Sequence, residues 1–344
     1  MNIPLWLVAA TALAASLMAP LALRPALTRF NVVDTPNARS SHFRPVLRGG
    51  GIGPLFAMAL AYTVAFLSGV DDALIVPLGC IIGTSIAAGV LGWLEDVRGL
   101  SVSTRAVMQI LIGSAGAGLA VWAGDGSYLH WLVCAIGVAG YINVTNFMDG
   151  VNGMSSLHGL VVGAAYATLG ILTALDWLTV AGLVLAAAFL GFLPWNLLGR
   201  GLFLGDVGSY LLGGGVAIIA AGAWVAGVPL VGVVAPLAIY ASDTTVTLLR
   251  RVATGEKWYE PHRSHTYQRL TDAGVSHFGV SAIVAVASAI CAAVGLLSVA
   301  VAEALFPVLA GLILVVVACY FIIASTLGRR SRQQRRSTEV GIQQ

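Results

Sequence analysis

Apolar runs long enough to cross a bilayer follow one another along almost the whole chain, and that repetition leaves few folds open. A hydrocarbon core roughly 30 Å thick takes about 20 apolar residues per helix, and about eleven such runs can be marked. They lie near 3–23, 51–69, 73–93, 105–123, 129–147, 155–175, 177–195, 210–227, 228–249, 278–300 and 304–327. Of the 344 residues, 58% are hydrophobic and only 10% charged, far from soluble composition. The fold expected is an all-α integral membrane protein of about eleven transmembrane helices. No polar gap is long enough for a water-soluble domain. Residues 1–328 therefore read as one polytopic membrane domain, and 329–344 as a basic tail, expected to be disordered and drawn to anionic headgroups.

The charges alternate with the spans. Lysines and arginines fall between spans of one parity or just inside their ends, while Asp71, Asp72, Asp125, Asp176 and Glu303 occupy the other gaps. The basic side is the cytoplasm by the positive-inside rule. Arg329, Arg330, Arg332, Arg335 and Arg336 then put the C-terminus inside, and an odd number of spans puts the N-terminus in the periplasm. The first run has no positive residue ahead of it and arginines after it, which suits a retained helix better than a cleaved signal. Cys80, Cys134, Cys291 and Cys319 sit inside apolar runs at unrelated spacing and read as packing residues. No basic patch interleaved with aromatics points to nucleic acid. The outer gaps are short and chemically poor, which argues against a receptor or adhesin.

The inner side also collects acids and amides near span ends. Glu95-Asp96 leaves the third span, and adjacent acids on a helix point in different directions. Asn143, Asn146 and Asp149 recur at a spacing of three, so they can share a helical face before Gly150. Amides in hydrocarbon need partners, either another helix or a bound ligand. Asp206, within Gly205-Asp206-Val207-Gly208-Ser209, opens the eighth span. It reads as a helix cap or as a ligand for Mg²⁺, a hard cation that takes carboxylate oxygen and keeps phosphate and water in its shell. Gly49-Gly50-Gly51 resembles a phosphate-cradling turn. His262, Arg263 and His265 stand in a cationic loop that could grip a diphosphate, Arg263 in fork geometry. Asp243 lies inside the ninth span, where a charge requires a partner or water, and reads as supporting the site from behind. A transporter would place its polar groups near midplane in repeated halves; here they gather at one face and no repeat is visible.

In their order along the chain these segments resemble the polyprenyl-phosphate N-acetylhexosamine-1-phosphate transferases, glycosyltransferase family 4. The resemblance rests on Asp34-Thr35-Pro36-Asn37-Ala38-Arg39 with His42, Pro45 and Gly49-Gly50, then Glu95-Asp96 and Asn143 to Gly153. It continues through Gly205 to Ser209, Asp243 ahead of Arg250-Arg251, and His262-Arg263-Ser264-His265. It implies a helical bundle with a cytoplasmic cleft in the bacterial inner membrane. It further implies a Mg²⁺-dependent enzyme (Mn²⁺ being the alternative ion) that moves a sugar 1-phosphate from a UDP-N-acetyl amino sugar to undecaprenyl phosphate and releases UMP. Glu260-Pro261-His262-Arg263-Ser264-His265-Thr266-Tyr267-Gln268 is most similar to the branch that starts O-antigen chains. The phospho-N-acetylmuramoyl-pentapeptide transferases normally have a histidine-richer loop.

On that resemblance Asp96, Asp149 and Asp206 would be catalytic and hold the metal, with Glu95, His262, Arg263 and His265 beside them. Arg39, His42, Gly49, Gly50, Asn143, Asn146, Asn152, Ser209 and Asp243 would serve substrate binding. A homodimer is compatible with the pattern. Two positions depart from the family: Glu95 stands where paired aspartates are usual, and Asn152 where many members have a second aspartate.

Overall fold

The computed structural model describes residues 4–29, 32–34, 46–197, 202–257 and 263–342. Arg39, His42 and His262 lie outside the described residues. The chain is a multi-pass membrane protein, helical apart from one small ladder. The helices are α1 (Leu5–Arg29), α2 (Ile52–Leu67), α3 (Asp72–Arg98), α4 (Val102–Ala123), α5 (Tyr128–Met148), α6 (Met154–Leu172) and α7 (Asp176–Leu197). They continue with α8 (Gly205–Val225), α9 (Leu230–Val234), α10 (Ala238–Ala253), α11 (Thr266–Asp272), α12 (His277–Leu296) and α13 (Phe306–Ile342). Among the described residues, ten helical segments are long and apolar enough to cross a membrane, and α2 is a shorter apolar helix of 16 residues. Together they account for the eleven runs.

The ninth run, read from sequence as one span over 228–249, falls on one membrane-length segment, Leu230–Ala253, whose helix changes character inside it. A 3-10 turn at Ala235–Leu237 separates α9 from α10, and Pro236 within it has no N–H to donate to a continuous ladder. The last helix continues through Ile342, past Leu327 where the last apolar run ends.

α8 is the axis of the bundle, buried along nearly its whole length. Its glycines explain how neighbours come so close. A Cβ at Gly213 would stand 2.3 Å from Thr145 Oγ1 on α5, and one at Gly214 would stand 2.7 Å from Ala88 Cβ on α3. In lipid, small residues let helix backbones approach and gain dispersion contact. By contrast α4 and α13 expose Val107, Ile110, Leu111, Leu312, Leu314 and Val315, an apolar surface suited to acyl chains.

The strands β1 (Val33–Asp34) and β2 (Val46–Leu47) pair antiparallel, Val33 opposite Leu47. β2 also bridges Leu202 in parallel. This stitches the segment before α2 onto the segment before α8. Short turns make successive helices antiparallel, so the end of α3, the end of α5 and the start of α8 meet at one end of the bundle.

Candidate active site

Three acids come together at that end. Asp96, in the last turn of α3, accepts the Val207 backbone N–H at 3.0 Å through Oδ2. Its Oδ1 is buried and has no hydrogen-bond partner. Asp206, in the first turn of α8, accepts a 2.8 Å hydrogen bond from Asn146 Nδ2 through Oδ1. The same amide reaches Ser209 Oγ at 3.2 Å, while Thr145 Oγ1 donates to the Ser209 carbonyl at 2.9 Å. Asp149 caps α5 and accepts Ser155 Oγ at 2.7 Å.

The charges of these groups are felt mutually. Asp206 repels both Asp96 and Asp149, and Arg48 attracts all three. Burial pushes the Asp149 carboxyl up to about 7; the Ser155 hydrogen bond pulls it down, the Asp206 charge pushes it up, and Arg48 pulls it down. Sequence reasoning missed Arg48. Its signal was position, the one cation directly ahead of Gly49-Gly50-Gly51.

Among the described residues, no three His, Cys, Asp or Glu side chains are gathered closely enough to make a metal cage. The set of Asp96, Asp149 and Asp206 expected from sequence therefore lines a common region without forming a closed three-ligand site. Mg²⁺ does not require one, since it is usually held by one or two carboxylates plus substrate phosphates and water. The partnerless buried Asp96 Oδ1 beside Asp206 fits such an open arrangement.

Several expected residues are engaged elsewhere. Glu95 is held by a turn, though its charge still acts on Asp206: Oε1 pairs with Arg105 at 3.1 Å and Oε2 accepts the Leu100 N–H, closing the turn into α4. Asn143 does not join Asn146. Its Nδ2 donates to Gln109 Oε1 at 2.6 Å and to the Ala139 carbonyl at 2.9 Å, an interhelical pair with α4. Gly50 and Gly51 do not cradle phosphate with their amides, because those N–H groups donate to the Phe203 and Leu204 carbonyls at 2.9 and 2.7 Å. Gly49 takes φ +90°, which turns the chain against Trp93. The Asn152 carbonyl accepts Ser281 Oγ at 2.8 Å, tying the α5–α6 turn to α12.

The loop ahead of α11 reaches the same region from another side. Asp243 is fully buried, and its Oδ1 accepts the Thr266 N–H at 2.9 Å and faces His265 Nδ1 at 3.3 Å. Oδ2 accepts the Tyr267 N–H at 3.2 Å and the Tyr320 hydroxyl at 2.7 Å. With these partners Asp243 is a support for the loop rather than a group open to substrate. His265 stacks on Phe147 with ring centres 6.0 Å apart, and Tyr267 donates its hydroxyl to the Phe147 carbonyl at 3.0 Å. The loop is thus anchored two residues before Asp149. Arg263 pairs with Asp272 at 3.0 Å on the surface.

A polytopic helical bundle thus gathers buried carboxylates, an amide and an arginine at one end. Residues 78–223, which hold Asp96, Asp149 and Asp206, match the model of glycosyl transferase family 4. Over 72% of its length the chain is 28% identical to the decaprenyl-phosphate N-acetylglucosaminephosphotransferase of Mycolicibacterium smegmatis, covering 71% of that protein. It is 25% identical to a probable undecaprenyl-phosphate N-acetylglucosaminyl 1-phosphate transferase of Bacillus subtilis, over 76% of this chain and 77% of that one. With the undecaprenyl-phosphate alpha-N-acetylglucosaminyl 1-phosphate transferase of Salmonella typhi it shares 26% identity over 79% and 78%. Across residues 78–223 the chain is thus similar to glycosyl transferase family 4, and over most of its length to these transferases.

Proposed function

We propose that this protein transfers an N-acetylated amino-sugar 1-phosphate from a UDP-sugar to undecaprenyl phosphate, releasing UMP at the cytoplasmic face of a bacterial inner membrane. The product, an undecaprenyl-diphosphate sugar, would start an O-antigen or a related surface glycan. The observation that carries the reading is the pairing of Asp96 and Asp206 across α3 and α8, each oriented by a hydrogen bond from Val207 or Asn146. The relatives, named as transferases acting with polyprenyl phosphates and N-acetylglucosamine, support the reaction class and make N-acetylglucosamine the first donor to try.

The chemical difficulty is electrostatic, because a lipid phosphate must approach a diphosphate of the same sign. A phosphate monoester with a second pKa of roughly 6 is already mostly dianionic at neutral pH, so no strong base is needed. An oxygen of the lipid phosphate attacks the sugar-linked phosphorus, and the bond from that phosphorus to the bridging oxygen breaks, with UMP leaving. Asp206 and Asp96 would hold Mg²⁺, which when bound spreads the diphosphate charge. Asn146 fixes the Asp206 carboxylate, and Asp149 adds a proton-accepting group poised near neutrality. His265 faces Asp243 and stacks on Phe147, two residues before Asp149.

The test is purified protein with Mg²⁺, undecaprenyl phosphate and a panel of UDP-amino sugars, scored by UMP and by lipid product. Asp206→Asn should leave the protein inserted and abolish UMP release. Undiminished release by that variant removes Asp206 from the reaction. Without lipid acceptor, labelled UMP should not exchange into UDP-sugar, because direct attack forms no enzyme-bound sugar phosphate.

A further inference from the structure

We propose that Arg48 is the resident counter-ion of the acidic cleft and passes its guanidinium to a substrate phosphate when a divalent cation and the diphosphate donor bind. The donor half of this inference rests on the transferase reading above; the counter-ion half does not.

The backbone delivers Arg48 to the acids. On one side of it Leu47 accepts the Phe203 N–H at 2.8 Å, and on the other Gly50 and Gly51 donate to Phe203 and Leu204. Its own N–H donates to the Val32 carbonyl at 2.9 Å. Gly51 packs so closely on Gly208 that a Cβ there would meet Gly208 Cα at 2.3 Å. The half-buried Arg48 therefore sits in a backbone segment held against residues 202–204, at the entrance to α8. From there its charge acts on Asp96, Asp149 and Asp206 alike. Arg105, which also acts on Asp206, pairs with Glu95 at 3.1 Å, and Arg263 pairs with Asp272 at 3.0 Å.

Three carboxyl groups face the single Arg48 guanidinium, with the Arg105–Glu95 pair also acting on Asp206, so carboxylate oxygen remains for a divalent cation. The cation and Arg48 then compete for the same oxygens. The donor arrives with phosphate oxygens that match the guanidinium fork in a bidentate way, so Arg48 gains a new partner as it loses the old one. Competition first and cooperation afterwards gives removal of Arg48 two effects of opposite sign.

The experiment uses the full chain in lipid nanodiscs, with Mn²⁺ binding read by electron paramagnetic resonance and UDP-N-acetylglucosamine binding read by calorimetry in saturating Mn²⁺. For Arg48→Met, Mn²⁺ alone should bind about tenfold more tightly, while the donor should bind about tenfold or more weakly. Arg48→Lys keeps the charge and loses the fork, so its Mn²⁺ affinity should stay near wild type while its donor affinity falls. Unchanged or weaker Mn²⁺ binding by Arg48→Met overturns the counter-ion role, and unchanged donor binding overturns the transfer to phosphate. If the wild type binds Mn²⁺ yet makes no UMP from any donor and lipid, the transferase reading fails. The Mn²⁺ shift in Arg48→Met still decides the counter-ion role.

Discussion

The Asp243 carboxylate and the Tyr320 hydroxyl share a 2.7 Å hydrogen bond at a fully buried point where α10 and α13 meet. The same carboxylate takes the first two backbone N–H donors of α11, those of Thr266 and Tyr267, and faces His265. A seven-residue helix cannot hold itself in place by propensity, so its docking relies on tertiary partners, this acid and the Tyr267–Phe147 hydrogen bond among them. Asp243→Ala strands two buried donors at about 1–3 kcal/mol each. The expected result is fast hydrogen exchange through residues 264–272, a thermal midpoint several degrees lower, and severely reduced UMP release. Tyr320→Phe removes a single bond worth about 1 kcal/mol and should leave activity within a few-fold of wild type. Normal exchange in Asp243→Ala would show that α11 is held by something else.

Asn146 joins α5 to α8 by donating to Asp206 Oδ1 and Ser209 Oγ. A hydrogen bond to a charged group is worth about 1.5–3 kcal/mol, so Asn146→Ala should lower kcat/KM by about 10- to 100-fold. Asn146→Asp puts a second carboxylate where the amide was and should do worse than alanine, with partial rescue at higher Mg²⁺. Steady-state UMP release across Mg²⁺ concentrations makes the comparison. An aspartate variant as active as wild type would mean that the amide does not orient Asp206 in the working enzyme.

The eleven runs were legible because hydrocarbon thickness fixes a length, and length is a property of the sequence alone. Asp96, Asp149 and Asp206 were legible as a group because acids near span ends cost free energy and need a reason. Direction was not legible. Glu95 looks equivalent to Asp96 in sequence, yet it faces Arg105 ten positions on, while Asp96 faces Val207, more than a hundred positions away. Asn143 and Asn146 share a face by spacing, but α4 lies beside one and α8 beside the other, so Gln109 takes the first and Asp206 the second. Which helices become neighbours is set by small-residue contacts such as Gly213 on α5 and Gly92 on the α8 backbone. No local pattern names the partner. Arg48 was missed for the same reason, since its reach to the acids exists only once β2 lies against Leu202.

Gly92 gives a clean steric prediction. A Cβ there would stand 2.1 Å from the Asp206 carbonyl oxygen and 2.7 Å from the Val207 nitrogen, the group that holds Asp96. Gly79, on the same helix, has nothing within 4 Å of its would-be Cβ. Gly92→Ala should push α3 off α8, lower the thermal midpoint and abolish most activity. Gly79→Ala should be neutral or slightly stabilising, because alanine is the better helix former by about 1 kcal/mol. Melting curves and UMP release for the pair separate packing at the site from helix propensity. Equal behaviour of the two variants would mean that α3 and α8 are not in close contact at Asp206.

The Asp149 carboxyl gives metal-free stability a defined dependence on pH. Burial, reinforced by Asp206, raises it from an ordinary 3.8 to about 7, so the folded protein holds this proton more tightly than the unfolded chain does. The resulting stabilisation is complete below about 4 and is lost as pH rises through about 7. In excess chelator the thermal midpoint should therefore fall between pH 6 and pH 8. Asp149→Asn, neutral at every pH, should lose that part of the slope and be the more stable form at pH 8. The difference between wild type and variant is the quantity to follow, because carboxylates away from this site contribute equally to both, while the repulsion from Asp206 leaves with the Asp149 charge. Parallel curves for the two proteins would mean that Asp149 is ionised without cost, and would remove it as a proton-accepting group near neutrality.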